Sequence, residues 1–205
     1  MKVGMTDPNH LIIVGAGGFG LEVASYAEDI IRMRGVGFSI AGFLDDTKAR
    51  GTTHGTYPVL GNTEGDLAPD ALYVIALGRP QPRRAMVEKL RGRGAKFATL
   101  LHPAAYISST AIVGLGSIIA PFASIGPQAI LGAQVVINTH ASIAHDAQVG
   151  DCSVVAQHAA LDGFAELDAN VFIGMHAVIG SRCKIAADGV VAAGALEAAV
   201  VEAAT

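Results

Sequence analysis

The chain has 205 residues, 51% of them hydrophobic but only 5% aromatic, and a net charge of −4. That length suits two small domains, and an apolar mass of Ala, Val, Ile and Leu suits a narrow core of stacked layers. No basic run is present to neutralise a phosphate backbone, which argues against a nucleic-acid partner, and Gly, Pro or charge interrupts every apolar segment well before a membrane-spanning length of about 20 residues.

The chain does not open on a charged, apolar and small-residue leader, and its two cysteines, Cys152 and Cys183, fit no CxxC spacing. A cytoplasmic protein is therefore expected. His10 to Val14 reads as a short buried strand. It runs into Gly15-Ala16-Gly17-Gly18-Phe19-Gly20, and an amphipathic stretch from Leu21 to Arg34 follows. Strand, glycine turn and helix in that order resemble the dinucleotide fingerprint, whose backbone N–H groups face a phosphate at a helix N-terminus.

Phe38 to Leu44 reads as the next strand and ends in Asp45-Asp46. An acid at that point is placed to hold a ribose hydroxyl, and equally to close an acidic turn. Leu72 to Leu77 is a buried-type strand closed by Gly78; Gln81 to Arg93 is a helix; Phe97 to Leu101 is a last short strand. Fewer than 100 residues make up this half, which is half of a dinucleotide fold. One nucleotide is expected there, not a dinucleotide. The expected fold class is an α/β Rossmann-like half domain over residues 8–101, then an all-β left-handed parallel β-helix over 102–194 and a tail at 195–205.

The second half carries a repeat. From Ile107 to Val191 an aliphatic residue falls at every sixth position, fifteen times without a break. A small residue precedes each by two positions, from Ala105 to Gly189, and Gly, Asn, Asp or Ala often follows. Neither a 3.6-residue nor a two-residue period yields this pattern. A triangular coil does: each hexapeptide makes one flat face, and three faces stack residues 18 apart over about five coils. The small residues let the corners close, and the Gly or Asn after the aliphatic is the expected turn residue.

Read together, the halves resemble the nucleotide-sugar acetyltransferases of the sialic-acid and bacillosamine type. The resemblance rests on the glycine loop, Phe43-Leu44-Asp45-Asp46, Leu101-His102-Pro103, and Ile137-Asn138-Thr139 followed by His145-Asp146. It implies transfer of acetyl from acetyl-CoA to an amine, or a hydroxyl, of a nucleotide-activated sugar, by a homotrimer; no metal is expected. His145 takes the place of the catalytic base and Asp146 that of its acid partner. Gly17, Gly18, Phe19, Asp45, Asp46, Gly78 and Asn138 fall to the sugar nucleotide, and Val154, Gly163, Met175 and Ala193 to acetyl-CoA.

Four departures stand out. Phe19 replaces the histidine usual in the loop, Val154 replaces a second histidine, Gly78-Arg79-Pro80 replaces a Gly-Asn segment, and the usual closing Gly-x-Pro-Ala is missing. Read from position alone, His145 is a surface histidine at a coil corner, and neighbouring side chains on a flat strand point to opposite faces, so its contact with Asp146 is left open. Two other readings compete: a non-catalytic nucleotide-sugar binding scaffold, and a metalloenzyme resembling γ-class carbonic anhydrase. The second is prompted by His140, His158 and His176, spaced by 18. Imidazoles stacked at the subunit interface are the expected reading of that column, because three collinear rungs about 4.8 Å apart cannot share one ion.

Overall fold

The computed structural model describes residues 10–35 and 38–198. It divides into one unit that ends at Pro103 and a second that begins at Ala104, with Arg79–Gln81 grouped with the second.

In the first unit, strand β1 (His10–Val14) leads into helix α1 (Gly18–Arg34), then β2 (Ser39–Leu44), β3 (Thr53–His54), β4 (Tyr57–Gly61), β5 (Ala71–Ile75), helix α2 (Pro80–Gly92) and β6 (Lys96–Phe97). The sheet order is β3-β4-β2-β1-β5-β6. Every pair is parallel except β3 with β4. β1 is central, and its continuous Leu11-Ile12-Ile13-Val14 run is buried on both faces, as a parallel strand between helices requires. α1 starts inside the glycine run, three residues earlier than its apolar periodicity indicates, because glycines carry no periodicity. β3 and β4 were not anticipated; Pro58 interrupts the strand pattern there. The single strand expected from Phe97 to Leu101 is two, Lys96–Phe97 and Leu100–Leu101, and only the first pairs with β5.

The second unit is a left-handed parallel β-helix. Its two-residue strands pair with the strand 18 residues on: Ile119 lies beside Ile137, Ile125 beside Ile143, Leu131 beside Val149. The sixth-position aliphatics from Ile119 to Ile179 are buried and fill the prism in layers. The coil continues past residue 194, where Leu196–Glu197 pairs with Val178–Ile179.

The turn lies elsewhere than expected. The glycines that directly follow the aliphatics do not have positive φ. The left-handed residue is the third after each aliphatic from Ile119 to Ile185: Phe122, Gln128, Gln134, His140, Asp146 and so on to Asp188, twelve non-glycine residues with φ of 57–61°. A side chain in that region is normally disfavoured. Here most are held by a backbone hydrogen bond to the preceding coil, as when Asp146 N–H donates to Pro127 O at 3.0 Å and Phe164 N–H to His145 O at 3.2 Å, and Gln128 N–H donates instead to the Thr110 hydroxyl.

Candidate functional site

In the β-helix, the left-handed turn at Asp146 settles whether His145 and Asp146 meet. With φ of 59°, Asp146 breaks the strand alternation, and its carboxylate Oδ2 lies 2.8 Å from His145 Nδ1. An ionised carboxylate only accepts, so Nδ1–H donates and Nε2 carries the free lone pair. The imidazole is more than half exposed, so that lone pair is open to a reactant.

One coil on from His145 stands Gly163. A methyl group added there would lie 2.7 Å from His145 Cε1 and 2.9 Å from Nε2. The glycine is thus the floor under the Cε1–Nε2 edge of the ring. Phe164, one coil on from Asp146, sets its ring perpendicular to the imidazole with centroids 5.4 Å apart, and the Arg182 guanidinium lies 4.3 Å over the Phe164 ring. Of these three neighbours only Gly163 is among the positions expected from the sequence; Phe164 and Arg182 are not. The 18-residue stacking that links 146, 164 and 182 is the signal that finds them.

The remaining positions expected on this unit lie apart from that cluster. Asn138 is buried, and its amide donates to Val155 O at 3.0 Å, tying two coils together. Val154 is a buried strand residue between Val136 and Phe172. Met175 is exposed at another corner, and Ala193 follows it one coil on, also exposed. Val154, Gly163, Met175 and Ala193 therefore occupy three different places around the coil of one chain.

His140, His158 and His176 stack face to face, with centroids 4.8 Å apart and planes within 3° of parallel, and Phe122 stacks on His140 at 5.0 Å. Among the described residues no group of three or more His, Cys, Asp or Glu side chains is arranged to hold a metal ion.

In the first unit, α1 has Gly17 as its N-cap and no side chain satisfies its first N–H groups. A helix N-terminus without such a cap leaves its first N–H groups free of an N-cap side chain, and such groups suit an anion. Nothing lies within 4 Å of where a Cβ would stand at Gly17 or Gly18, whereas a Cβ at Gly20 would lie 2.2 Å from Gly15 O. Gly20 thus lets the helix close against the loop, the usual part of a third fingerprint glycine. Phe19 touches Gly78, whose Cβ position is 4.0 Å from the ring.

Asp45 is brought to this loop: its Oδ2 accepts from Ala16 N–H at 2.7 Å, and its Oδ1 from Thr47 N–H and Oγ1. Burial alone would push its carboxyl up; the hydrogen bonds from Thr47 and Ala16 and the charge of Lys48 outweigh that and hold it below the ordinary carboxylate value. Asp46 turns the other way, to Thr63 N–H at 2.7 Å and Thr63 Oγ1 at 2.9 Å. Lys89 joins that pair through Thr63 Oγ1. Both aspartates border a crevice of about 180 Å³ with Gly15, Leu77 and Met86, at the carboxyl ends of β1, β2 and β5. A second cleft of about 610 Å³ adjoins it, floored by Ile12, Leu60 and Tyr73 and rimmed by Lys48, Arg50 and Asn62. Open parallel sheets take their ligands at such strand ends.

Residues 10–90 match the family described as PglD N-terminal domain. Over 114 residues, 54% of the chain, it is 34% identical to a UDP-N-acetylbacillosamine N-acetyltransferase of Bacillus subtilis (strain 168), and the match spans half of that relative's length. The acetyltransferase domain of PglB from Neisseria gonorrhoeae FA1090 is 30% identical, with a TM-score of 0.67 over 92% of this chain and 90% of that one. The fold also matches PerB from Caulobacter crescentus, solved with CoA and GDP-perosamine, at 24% identity and a TM-score of 0.79 over 95% of this chain and 89% of that one. No described helix is long and apolar enough to cross a membrane.

Proposed function

This chain belongs to the sugar acetyltransferases that carry a PglD-type N-terminal domain ahead of a left-handed β-helix, and from that premise we propose that it moves acetyl from acetyl-CoA to an amino group of a nucleotide-activated sugar. The observation that carries the reading is His145, with Nδ1 bound to Asp146 and Nε2 open above Gly163. A thioester is already activated, so the protein chiefly has to supply a base. The sugar amine attacks the thioester carbonyl, the C–N bond forms, and the proton of the amine passes to His145 Nε2. The carbonyl oxygen carries the charge until it re-forms the double bond and the C–S bond breaks. The imidazolium then returns the proton to the departing thiolate, leaving an amide and free CoA. Asp146 holds the tautomer and steadies the imidazolium. Such a base typically contributes about 10²–10⁴ in rate.

The diphosphate of the sugar nucleotide sits at the N-terminus of α1, on Gly18 and Phe19 N–H, where peptide dipoles favour negative charge. The nucleoside extends into the cleft rimmed by Lys48 and Arg50. Asp45 keeps the loop in the receiving shape, since three protein groups already engage its carboxylate. The acetyl donor is acetyl-CoA, which the Neisseria gonorrhoeae domain binds in one of its structures. The assembly is a homotrimer working in the cytoplasm; a monomeric mass by light scattering at micromolar concentration contradicts the trimer.

The test of the function is release of free thiol from acetyl-CoA in the presence of a panel of UDP- and GDP-linked amino sugars. One member of the panel should support steady turnover, while the matching sugar nucleotide without an amine or free hydroxyl at the acceptor carbon should not. No turnover with any amino sugar contradicts the proposal.

A further inference from the structure

We infer that Phe164, clamped by Arg182, is a positioning residue that holds the His145 imidazole in its working orientation; this rests on the reading of His145 as the base. The hydrogen bond to Asp146 fixes Nδ1 but leaves the ring free to swing about that contact. Gly163 lies under the ring but carries no side chain to grip it. Phe164 flanks the ring, perpendicular to the imidazole at 5.4 Å, inside the range where aromatic rings attract edge to face.

Phe164 serves no core. It is more than one-third exposed, stands at a turn with φ of 61°, and points away from the layers of aliphatics. A large apolar ring at a left-handed turn on the surface is costly in conformation and in hydration. At the equivalent corner of neighbouring coils the chain carries Gln128, Asp146 and Arg182, all polar. Arg182 supplies the complement: its guanidinium lies 4.3 Å over the Phe164 ring, and among the described residues no carboxylate pairs with it. A guanidinium that takes an aromatic face for its partner also fixes that ring's plane. The three residues thus form a relay along one edge, with Arg182 setting Phe164 and Phe164 setting His145. Backbone hydrogen bonds on the same edge keep the spacing: Phe164 N–H donates to His145 O and Arg182 N–H to Gly163 O, each at 3.2 Å.

The variants are Phe164→Leu, which keeps apolar bulk without a ring, Phe164→Tyr, which keeps the ring, and Arg182→Gln. Turnover should fall about tenfold in Phe164→Leu and less in Arg182→Gln, with KM for both substrates within about twofold of the starting protein, because misplacing a reacting group costs rate and not ground-state binding. Phe164→Tyr should restore wild-type turnover. The Arg182→Gln effect should vanish in the Phe164→Leu background, as expected if Arg182 acts only through the ring. Without substrate, the His145 Cε1–H resonance should shift in Phe164→Leu as the ring current is lost, and not in Phe164→Tyr. Wild-type kcat together with an unmoved His145 resonance in Phe164→Leu overturns the inference. Should His145→Ala retain full turnover, the base assignment falls instead; the resonance still reports whether Phe164 holds the ring.

Discussion

The space above Gly163 is the part of the site most open to a graded test. Gly163→Ala places a methyl 2.7 Å from His145 Cε1 and 2.9 Å from Nε2, where 3.4 Å is the start of ordinary contact. The imidazole must therefore retreat by roughly 0.7 Å or rotate about its bond to Asp146. The clash is with the end of a movable side chain and not with backbone, and φ at 163 is not in the left-handed region, so the fold pays little. Replacing Gly by Ala at a compatible position even narrows the unfolded ensemble. The reaction is less tolerant: a misplacement of about 1 Å at a reacting group costs about 10²-fold. Turnover in Gly163→Ala should fall between about tenfold and a hundredfold, with KM for both substrates near wild type and the thermal midpoint within a few degrees. Steady-state kinetics beside a melting curve reads both. A kcat within twofold of wild type would refute the argument, since a base at Nε2 cannot be both crowded and unaffected.

Three further outcomes follow from the same geometry. His145→Ala should abolish most acetyl transfer while calorimetry still finds CoA and sugar nucleotide binding; unchanged turnover returns His145 to a corner residue. Gly20→Ala should destabilise the N-terminal unit by about 1–3 kcal/mol, because its Cβ meets backbone, Gly15 O at 2.2 Å, and neither side can yield cheaply; a melting curve like wild type contradicts that contact. Asp45 has a lowered folded-state pKa, so the stability it confers is present above its unfolded value and is lost as pH falls through the lower folded one. The stability gap between the protein and Asp45→Asn should therefore be steady near neutral pH and shrink only below about pH 4 in urea titrations; a gap that instead grows toward acid reverses the sign and the assignment.

How much of this was legible in the sequence varies by residue for physical reasons. The β-helix was, because each face of a narrow prism admits one inward aliphatic and the chain keeps that phase from Ile107 to Val191. Its turns were not: the left-handed position carries Phe122, Gln128, His140, Cys152 and Arg182, residues that give no sign of positive φ. Coil-to-coil hydrogen bonds impose that conformation, and such bonds exist only in the stacked form. For the same reason the His145–Asp146 contact was undecidable from strand alternation, and nothing in the sequence shows that Asn138, expected among the substrate contacts, is buried and ties two coils. Asp45 and Asp46 were placed correctly at the end of β2. That adjacent aspartates diverge, one to Ala16 and one to Thr63, depends on the loop after β4, a strand that Pro58 concealed. Phe164 and Arg182 were present in the 18-residue spacing once His145 was singled out, but only side-chain geometry gives them a role.

The most direct test of the account is to incubate the protein with ¹³C-acetyl-CoA and the amino-sugar nucleotide that supports thiol release, and to locate the label in the product by NMR. The account predicts an N-acetyl carbon joined to the sugar nitrogen, formed at one equivalent per thiol released, and its loss in His145→Ala. Label found only in free acetate, or an unchanged rate of amide formation in His145→Ala, would contradict it.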